Sequence, residues 1–151
     1  MKVPLLILER RIQIVSIFSC PRIRVHGQIK FIVDTGSPLT ILSEGDALRL
    51  HIPLNSLRDV PDEKKHIYMG GSVSELKLIP KEVKLGFRND KNEMEYITLP
   101  NFCVAVGTKK DEKYKQISQG SPSILGLDFF EQQKFLLHID TSKNNMFFEN
   151  S

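Results

Sequence analysis

Short apolar stretches separated by turn-forming residues run along the whole chain of 151 residues. Residues 12–17 alternate in part between apolar and polar positions and are rich in β-branched side chains, which predicts a strand. Two further apolar runs, 23–25 and 29–33, flank a triplet centred on Gly27. We therefore expect a β-hairpin with Gly27 near its turn.

Helical signals are few. Ser43 is followed three residues later by Asp46, which is typical of a helix N-terminus. A short helix is therefore predicted over residues 44–50, and Pro53 would end it. A second short helix is predicted over residues 127–134.

The rest of the chain continues the pattern of short strands. Two strands are predicted on either side of the glycines at 70–71, and a bent strand broken by Pro80 follows. The polar stretches 53–65 and 108–120 lack a periodic pattern, so we expect loops there, the second of them mobile. The remaining predicted strands are residues 39–42, 96–99, 102–106, 123–126 and a final hairpin of 135–139 with 146–149. Many short strands with one or two short helices indicate an all-β, barrel-like fold in a single domain, residues 1–151.

Composition and charge limit the classes of partner that we expect for this chain. Apolar residues make up 40% and charged residues 26% of the chain, as in an ordinary globular domain. The net charge is +3, but the basic pairs are scattered and lack aromatic neighbours, so we expect no nucleic-acid partner. The apolar run 3–8 ends at Glu9 and is too short for a membrane span or a signal-peptide core. We therefore expect a cytoplasmic protein with no membrane partner.

Residue types that bind metals do not cluster along the sequence. Cys20 and Cys103 are far apart and form no CxxC pair, which favours free thiols in a reducing compartment, although one disulfide stays open. The four histidines show no metal-ligand spacing. We expect no metal and no other cofactor.

The segment 31–37 delivers a carboxylate from an apolar strand into a tight turn. Asp34-Thr35-Gly36 by itself is a common turn tripeptide. However, the apolar strand before it would partly desolvate the carboxylate, and the downstream run Ser123-Ile124-Leu125-Gly126 is predicted to be a buried strand that ends at a glycine. A similar triplet, Asp140-Thr141-Ser142, lacks the glycine and lies in a polar stretch, so it is interpreted as a hairpin turn.

Several motifs in this order resemble the retropepsin-like aspartic proteases, which comprise the retroviral protease fold and its cellular and prokaryotic relatives. The resemblance covers about residues 12–148. Its motifs are the hairpin 21–33, the turn Asp34-Thr35-Gly36-Ser37, the segment 39–43, the glycine-rich segment 70–73 and the segment 123–130. The resemblance implies a retropepsin-like closed β-barrel and an aspartic endopeptidase.

The family's mechanism implies a homodimer, because this chain carries one such turn. Two Asp34 carboxylates, one from each subunit, would hold the water that attacks a peptide bond of a polypeptide substrate. Thr35 would link the subunits, although it could instead satisfy its own turn, and Gly36 would let the backbone approach the substrate. The Ser37 hydroxyl is expected to donate to Asp34, which would favour the charged carboxylate and shift activity toward acid.

The glycine-rich segment is the candidate flap over the substrate. It consists of Met69, Gly70, Gly71, Ser72 and Val73. Glycines at a hairpin tip would let the backbone bend over an extended peptide, although an ordinary hairpin turn is the alternative. Tyr68 and Met69 would either line the cleft or pack in the core. Below the Asp34 turn, the supporting strand would be Ile124, Leu125 and Gly126.

Some positions depart from the retroviral pattern. Pro38 replaces an acid and Leu127 replaces an arginine, two groups that would have been partners. Asp128 is then expected to cap the last helix. The terminal segments 3–8 and 146–149 are candidates for the dimer interface. The alternative function is a catalytically silent protein- or peptide-binding module of the same fold, and a nucleic-acid-binding barrel has only the mild charge in its favour.

Overall fold

The computed structural model describes residues 1–61, 63, 65–69, 71–108 and 111–151. Strands dominate these residues, so the predicted all-β class is confirmed. The helices are α1 (Glu44–Arg49), α2 (Glu112–Gly120) and α3 (Leu127–Gln133). The strands are β1 (Lys2–Pro4), β2 (Leu6–Leu8), β3 (Arg11–Cys20), β4 (Val25–Val33), β5 (Ile41–Leu42), β6 (Arg58–Asp59), β7 (His66–Met69), β8 (Ser72–Leu78), β9 (Val83–Arg88), β10 (Met94–Leu99), β11 (Cys103–Gly107), β12 (Ser123–Leu125), β13 (Phe135–Asp140) and β14 (Asn145–Asn150).

The strands of the described residues form two sheets. The larger one has the strand order β10-β9-β3-β4-β12-β5-β11-β8-β6, with β2 paired to β3 and β7 paired to β8, and it curls as a half-barrel. The smaller one has the order β1-β14-β13. The predicted final hairpin is thereby confirmed, because β13 and β14 pair from Phe135↔Asn150 to Asp140↔Asn145.

Aromatic side chains fill the space between α3 and the two sheets. Phe87, Phe129 and Phe148 are fully buried, and their ring centroids lie 5.5 to 5.7 Å apart. Burying a side chain of this size stabilises the fold by about 2 to 3 kcal/mol. Phe129 belongs to α3, so this packing fixes the helix that follows β12 against the terminal sheet.

Gly27 does not lie at a turn, so that part of the hairpin prediction is wrong. β4 is continuous, and the connection from β3 is a single 3-10 turn at Pro21–Ile23 that ends at Arg24 with φ +54°. A Cβ at position 27 would collide with Leu50 Cδ2. The glycine therefore admits a packed leucine from the end of α1, which is a tertiary reason that local sequence does not reveal.

The predicted loop over 108–120 is also wrong for most of its length, because α2 occupies residues 112–120. The Asp111 side chain accepts a hydrogen bond of 2.9 Å from Lys113 N and caps the helix. α2 packs against α1 and β11, where a Cβ on Gly45 would overlap Gln119 O and one on Gly107 would lie 2.7 Å from Ser118 Oγ. Helix α2 thus depends on its cap and on close packing at two glycines.

Other elements follow the predictions closely. Ser43 caps α1 by accepting a hydrogen bond of 3.2 Å from Asp46 N. The predicted loop 53–65 contains a short 3-10 turn and the two-residue strand β6. Cys20 and Cys103 are both free thiols. None of the helices in the described residues has the length and apolar character needed to cross a membrane.

Candidate active site

Asp34 begins the turn between β4 and β5. β4 lies between two neighbours, antiparallel β3 and parallel β12, and the register pairs Leu125 with Val33. The backbone N–H of Asp34 donates to Leu125 O at 3.1 Å, which extends the pairing by one step. The Ser37 N–H then donates to Asp34 O at 3.1 Å and closes the turn. β12 therefore positions Asp34 directly, while the pairing of β3 with β4 extends to Ile32.

The Asp34 carboxylate accepts a single hydrogen bond within the described part of the chain. The Gly36 N–H donates to Asp34 Oδ1 at 2.9 Å, and residues 34–36 are exposed. A Cβ on Gly36 would lie 3.1 Å from the same oxygen, so a larger residue would crowd the carboxylate. One carboxylate oxygen is thus oriented by the turn and the other is left for an external group.

The run ending in Gly126 lies beneath this turn, as the sequence predicts. A Cβ on Gly126 would overlap Leu39 O and lie 2.9 Å from Ser37 O. Next to it, the Leu127 N–H donates to Ser37 O at 2.8 Å. Only glycine permits this approach, and the contact ties the far side of the Asp34 turn to the start of α3.

A buried hydroxyl that sequence reasoning missed joins the same elements. Thr40 Oγ1 donates to Asp128 Oδ1 at 2.7 Å and accepts from Gly126 N at 2.9 Å. Asp128 also accepts from Phe129 N at 2.8 Å, but Gly126 is the N-cap of α3. Asp128 is therefore not the N-cap residue, but its carboxylate satisfies one N–H of the first turn of α3 and also bridges that turn to Thr40. No spacing in the sequence distinguishes Thr40 from an ordinary strand threonine.

The Ser37 hydroxyl does not donate to Asp34, so that expectation is wrong. Ser37 Oγ donates to Leu39 O at 2.9 Å. This bond stabilises the segment that follows the turn, and Gly36 is the residue whose N–H donates to the Asp34 carboxylate.

The side chain of Thr35 makes no hydrogen bond to any described residue and is exposed. It does not satisfy its own turn, which was the alternative to a role between subunits. Its methyl and hydroxyl groups lie on the surface directly beside Asp34.

The strands β7 and β8 form the predicted glycine-tipped hairpin. They pair from His66↔Glu75 to Met69↔Ser72, so two residues separate the strands. Gly71 has φ +84°, a left-handed value that favours glycine, and nothing lies within 4 Å of its Cβ position. Gly70 lies outside the described residues, as do the side chains of Met69 and Ser72.

Ion pairs brace the base of this hairpin. Lys77 Nζ lies 2.7 Å from Asp59 Oδ1, and Lys65 Nζ lies 3.2 Å from Glu75 Oε1. The hydrogen bond from Lys77 lowers the pKa of Asp59, and the same bond raises the pKa of Lys77. Both groups are close to solvent, so the pair orients the strands more than it stabilises them.

Asp34 and the β7–β8 hairpin face one cleft. This cleft has a volume of about 310 Å³, and Asp34 is the only carboxylate among the described residues that line it. Tyr68 is 86% exposed and lines the cleft, so it does not pack in the core. Of the supporting strand, Ile124 lines the cleft while Leu125 is buried below it. The lining residues are Asp34, Gly36, Ser37, Pro38, Leu39, Ile41, Ile67, Tyr68 and Ile124.

The second Asp-Thr turn, at Asp140, lies outside the cleft, and its carboxylate is hydrogen-bonded within its own turn. It connects β13 and β14, and Asp140 Oδ1 accepts hydrogen bonds from Ser142 Oγ, Ser142 N and Lys143 N at 2.6, 3.1 and 3.2 Å. The bond from the Ser142 hydroxyl, followed by that from Lys143 N, lowers the pKa of Asp140. Its interpretation as a hairpin turn is confirmed.

A solved structure is similar to nearly the whole chain. It is a retropepsin-like aspartic protease from Rickettsia conorii, with a TM-score of 0.54 and 18% sequence identity, covering 99% of this chain and 89% of that chain. The fold is retropepsin-like. No protein-family model and no curated protein matches the sequence. At this identity the likeness concerns the fold alone.

Proposed function

We propose that this protein is an aspartic endopeptidase that works as a homodimer, with one Asp34 from each subunit. The observation that carries the proposal is the Asp34 carboxylate, which lies in a cleft opposite a glycine-tipped hairpin and accepts one hydrogen bond within the described residues. The retropepsin-like fold of the chain supports the same reading.

The need for a second subunit follows from the chemistry. Peptide hydrolysis by carboxylates alone needs one group to take a proton from water and another to polarise the carbonyl. Asp34 is the one carboxylate of the described residues in the cleft, and Asp140 is held in a separate turn. The other group is therefore the Asp34 of a second copy.

The two carboxylates act as a pair. At close range both cannot carry a charge cheaply, so they share one proton and titrate together. The ionised member takes a proton from the water between them, and the water oxygen attacks the peptide carbonyl carbon. The protonated member donates to the carbonyl oxygen, and a proton later passes to the leaving amine. In each subunit, the Gly36 N–H holds one oxygen of Asp34 in place.

The substrate is an extended polypeptide. A strand-like peptide in the cleft would lie between the Asp34 turn and the β7–β8 hairpin, where Ile41, Ile67 and Ile124 supply apolar contacts. The tip at Gly71 has open space around it, so it can bend over the peptide and exclude water. Thr35, which lacks a hydrogen-bond partner among the described residues, would bond to the partner subunit beside the two carboxylates.

The proposal is tested with a mixed peptide library from acidic to neutral pH, with products identified by mass spectrometry. We expect cleavage by the wild type, none by Asp34→Asn, and inhibition by a statine-type compound that mimics the tetrahedral intermediate. Cleavage that survives Asp34→Asn would contradict the proposal. A folded dimer with no cleavage at any pH would instead favour the catalytically silent peptide-binding module.

A further inference from the structure

The bridge between Thr40 and Asp128 lies at the wall of a second cavity, which has a volume of about 210 Å³. The walls of this cavity come from the segment after the Asp34 turn, from the connection between β10 and β11, and from α3. Leu39 is the one described residue that lines both this cavity and the Asp34 cleft. The two spaces are therefore neighbours with separate walls apart from Leu39.

The inner part of the cavity is apolar and its mouth is polar. Leu99, Phe102 and Phe129 are buried, whereas Asn101 and Gln132 are exposed. An apolar cavity of about 150 Å³ is large enough to bind benzene. The present cavity therefore has room for one ring with a short substituent.

Asp128 brings to this cavity a carboxylate that no cation of the described residues neutralises. Its Oδ1 accepts hydrogen bonds from Thr40 Oγ1 and Phe129 N at 2.7 and 2.8 Å. Within the described part of the chain, Oδ2 accepts no hydrogen bond and neither oxygen takes part in an ion pair. A partly buried carboxylate is stabilised by a cationic partner. Asp128 Oδ2 is therefore available to a cationic donor from outside the chain.

Cys103 adds no second charge to the cavity. Burial, followed by the negative charge of Asp128, raises the pKa of the Cys103 thiol to about 11, so the thiol is uncharged at neutral pH. None of the described lining residues is a lysine, an arginine or a histidine. The electrostatics of the cavity therefore favour a cation over an anion.

We propose that this cavity binds a small organic cation, with its ammonium group at Asp128 Oδ2 and its apolar body against Phe102 and Phe129. A charge-assisted hydrogen bond to the carboxylate orients the ligand, and burial of its apolar body supplies the rest of the affinity. A bare metal ion fits less well, since no group of three or more metal-ligating side chains occurs among the described residues.

The ligand would contact the support of the Asp34 turn without entering the cleft. Thr40 donates to Asp128 and accepts from Gly126 N, whose residue lies beneath the turn. The site is therefore distinct from the one that would hold a peptide, and its existence does not depend on proteolysis.

Benzylamine tests the site, because it joins one ring to one ammonium group, and benzyl alcohol is its uncharged analogue. An NMR titration of the backbone amides gives the Kd at neutral pH. The test variant is Asp128→Asn, whose amide oxygen can still accept from Thr40 and from Phe129 N while the charge is removed. Asp140→Asn makes the same change in a turn outside the cavity, and Asp34→Asn makes it in the cleft.

The wild type should bind benzylamine with a Kd of about 1 mM or lower, and benzyl alcohol at least about tenfold more weakly. Asp128→Asn should raise the Kd for benzylamine at least about tenfold, because the charged acceptor is lost. Asp140→Asn and Asp34→Asn should leave that Kd unchanged. The largest amide shifts should occur around Phe102 and Gln132. Where Asp128→Asn does not fold, Cys103→Leu takes its place, since it narrows the cavity and should weaken the binding of both probes.

The absence of saturable binding, equal Kd values for the two probes, or an unchanged Kd in Asp128→Asn (in Cys103→Leu where that variant replaces it) would overturn the site. Loss of binding in Asp34→Asn would also overturn it, because the probe would then lie in the cleft. Proteolysis without benzylamine binding overturns this site alone. Benzylamine binding that depends on Asp128, in a protein that cleaves no peptide, overturns the protease proposal alone.

Discussion

Two turns of this chain carry the same dipeptide, Asp-Thr, at the end of a β-strand, and they differ in what surrounds the carboxylate. At Asp34 one N–H, from Gly36, donates to the side chain, and the carboxylate faces a cleft. At Asp140 three donors from Ser142 and Lys143 converge on one oxygen at the tip of a hairpin.

The difference shows what makes a turn carboxylate available for chemistry. Asp140 stabilises its own turn, and its hydrogen bonds lower its pKa. The Asp34 carboxylate accepts one bond of its own turn, from Gly36, and the turn is further supported by β12, by the close approach at Gly126 and by the bond from the Ser37 hydroxyl to Leu39 O. One carboxylate oxygen therefore has no role in holding the turn together. A site of this kind depends on its supporting contacts.

The largest expected effect separates the two aspartates directly. Asp34→Asn should lower kcat/KM for a cleaved peptide by at least about a thousandfold, because the pair loses its ionisable groups. Asp140→Asn should leave kcat/KM within about twofold, since that turn lies outside the cleft. Comparable losses from both substitutions would remove the distinction between the turns.

Removing the space under the Asp34 turn should have the next largest effect. Gly126→Ala places a methyl group against Leu39 O and Ser37 O, so it should lower the free energy of unfolding by about 3 kcal/mol. Gly120→Ala is the matched control, because nothing lies within 4 Å of its Cβ position, and it should stay within about 0.5 kcal/mol. Urea denaturation measures both. Equal stability of the two variants would mean that the close approach is unimportant.

The threonine hydroxyls offer a further comparison. Thr40→Val removes the bridge between Asp128 and Gly126 N and should cost about 1 to 3 kcal/mol in urea denaturation, because a buried N–H loses its acceptor. Thr141 is the residue after Asp140, and its hydroxyl bonds to no described residue. Thr141→Val should therefore leave the free energy of unfolding nearly unchanged. A Thr40→Val protein as stable as wild type would rule out the bridge as a support.

The smallest effects concern the two serines. Ser142 donates to the Asp140 carboxylate and Ser37 donates to a backbone carbonyl. Ser142→Ala should therefore raise the pKa of Asp140 toward its ordinary value, as measured by NMR titration. Because the folded pKa of Asp140 is lowered, its stabilising effect exists above the ordinary carboxyl pKa and is lost as pH falls through the folded value. Ser142→Ala should therefore make the free energy of unfolding fall less as the pH is lowered through the carboxyl range.

Ser37→Ala should cost at most about 1 kcal/mol and leave the acid limb of the pH–rate profile in place, since the Ser37 hydroxyl does not contact Asp34. A shifted acid limb would show that the hydroxyl turns to the carboxylate in the active protein.

Local patterns predicted most of this architecture. Apolar alternation located β3 and the final hairpin, and Ser43 with Asp46 located α1, because these features depend on neighbours in sequence. The Asp34 turn and the strand ending at Gly126 were also predictable, since an apolar strand, a tight turn and a glycine are local signals.

The errors share a physical cause, which is contact between distant residues. A glycine is needed at position 27 because Leu50 packs against its backbone. Helix α2 packs closely on α1 and β11 because Gly45 and Gly107 leave room for it. The direction of the Ser37 hydroxyl is decided by where Leu39 O lies after the turn. The Thr40 bridge spans 88 residues of sequence to Asp128, so no local pattern contains it.

The central claim, that the second carboxylate is the Asp34 of another chain, is tested most directly by mixing subunits. Wild type and Asp34→Asn are equilibrated in equal amounts at a fixed total concentration above the dimer Kd. The rate of peptide cleavage is compared with that of wild type alone at the same total concentration. Random pairing leaves about one quarter of the dimers with two aspartates, so activity should fall to about one quarter. A fall to about one half would mean that each chain carries a complete site, which would contradict the account.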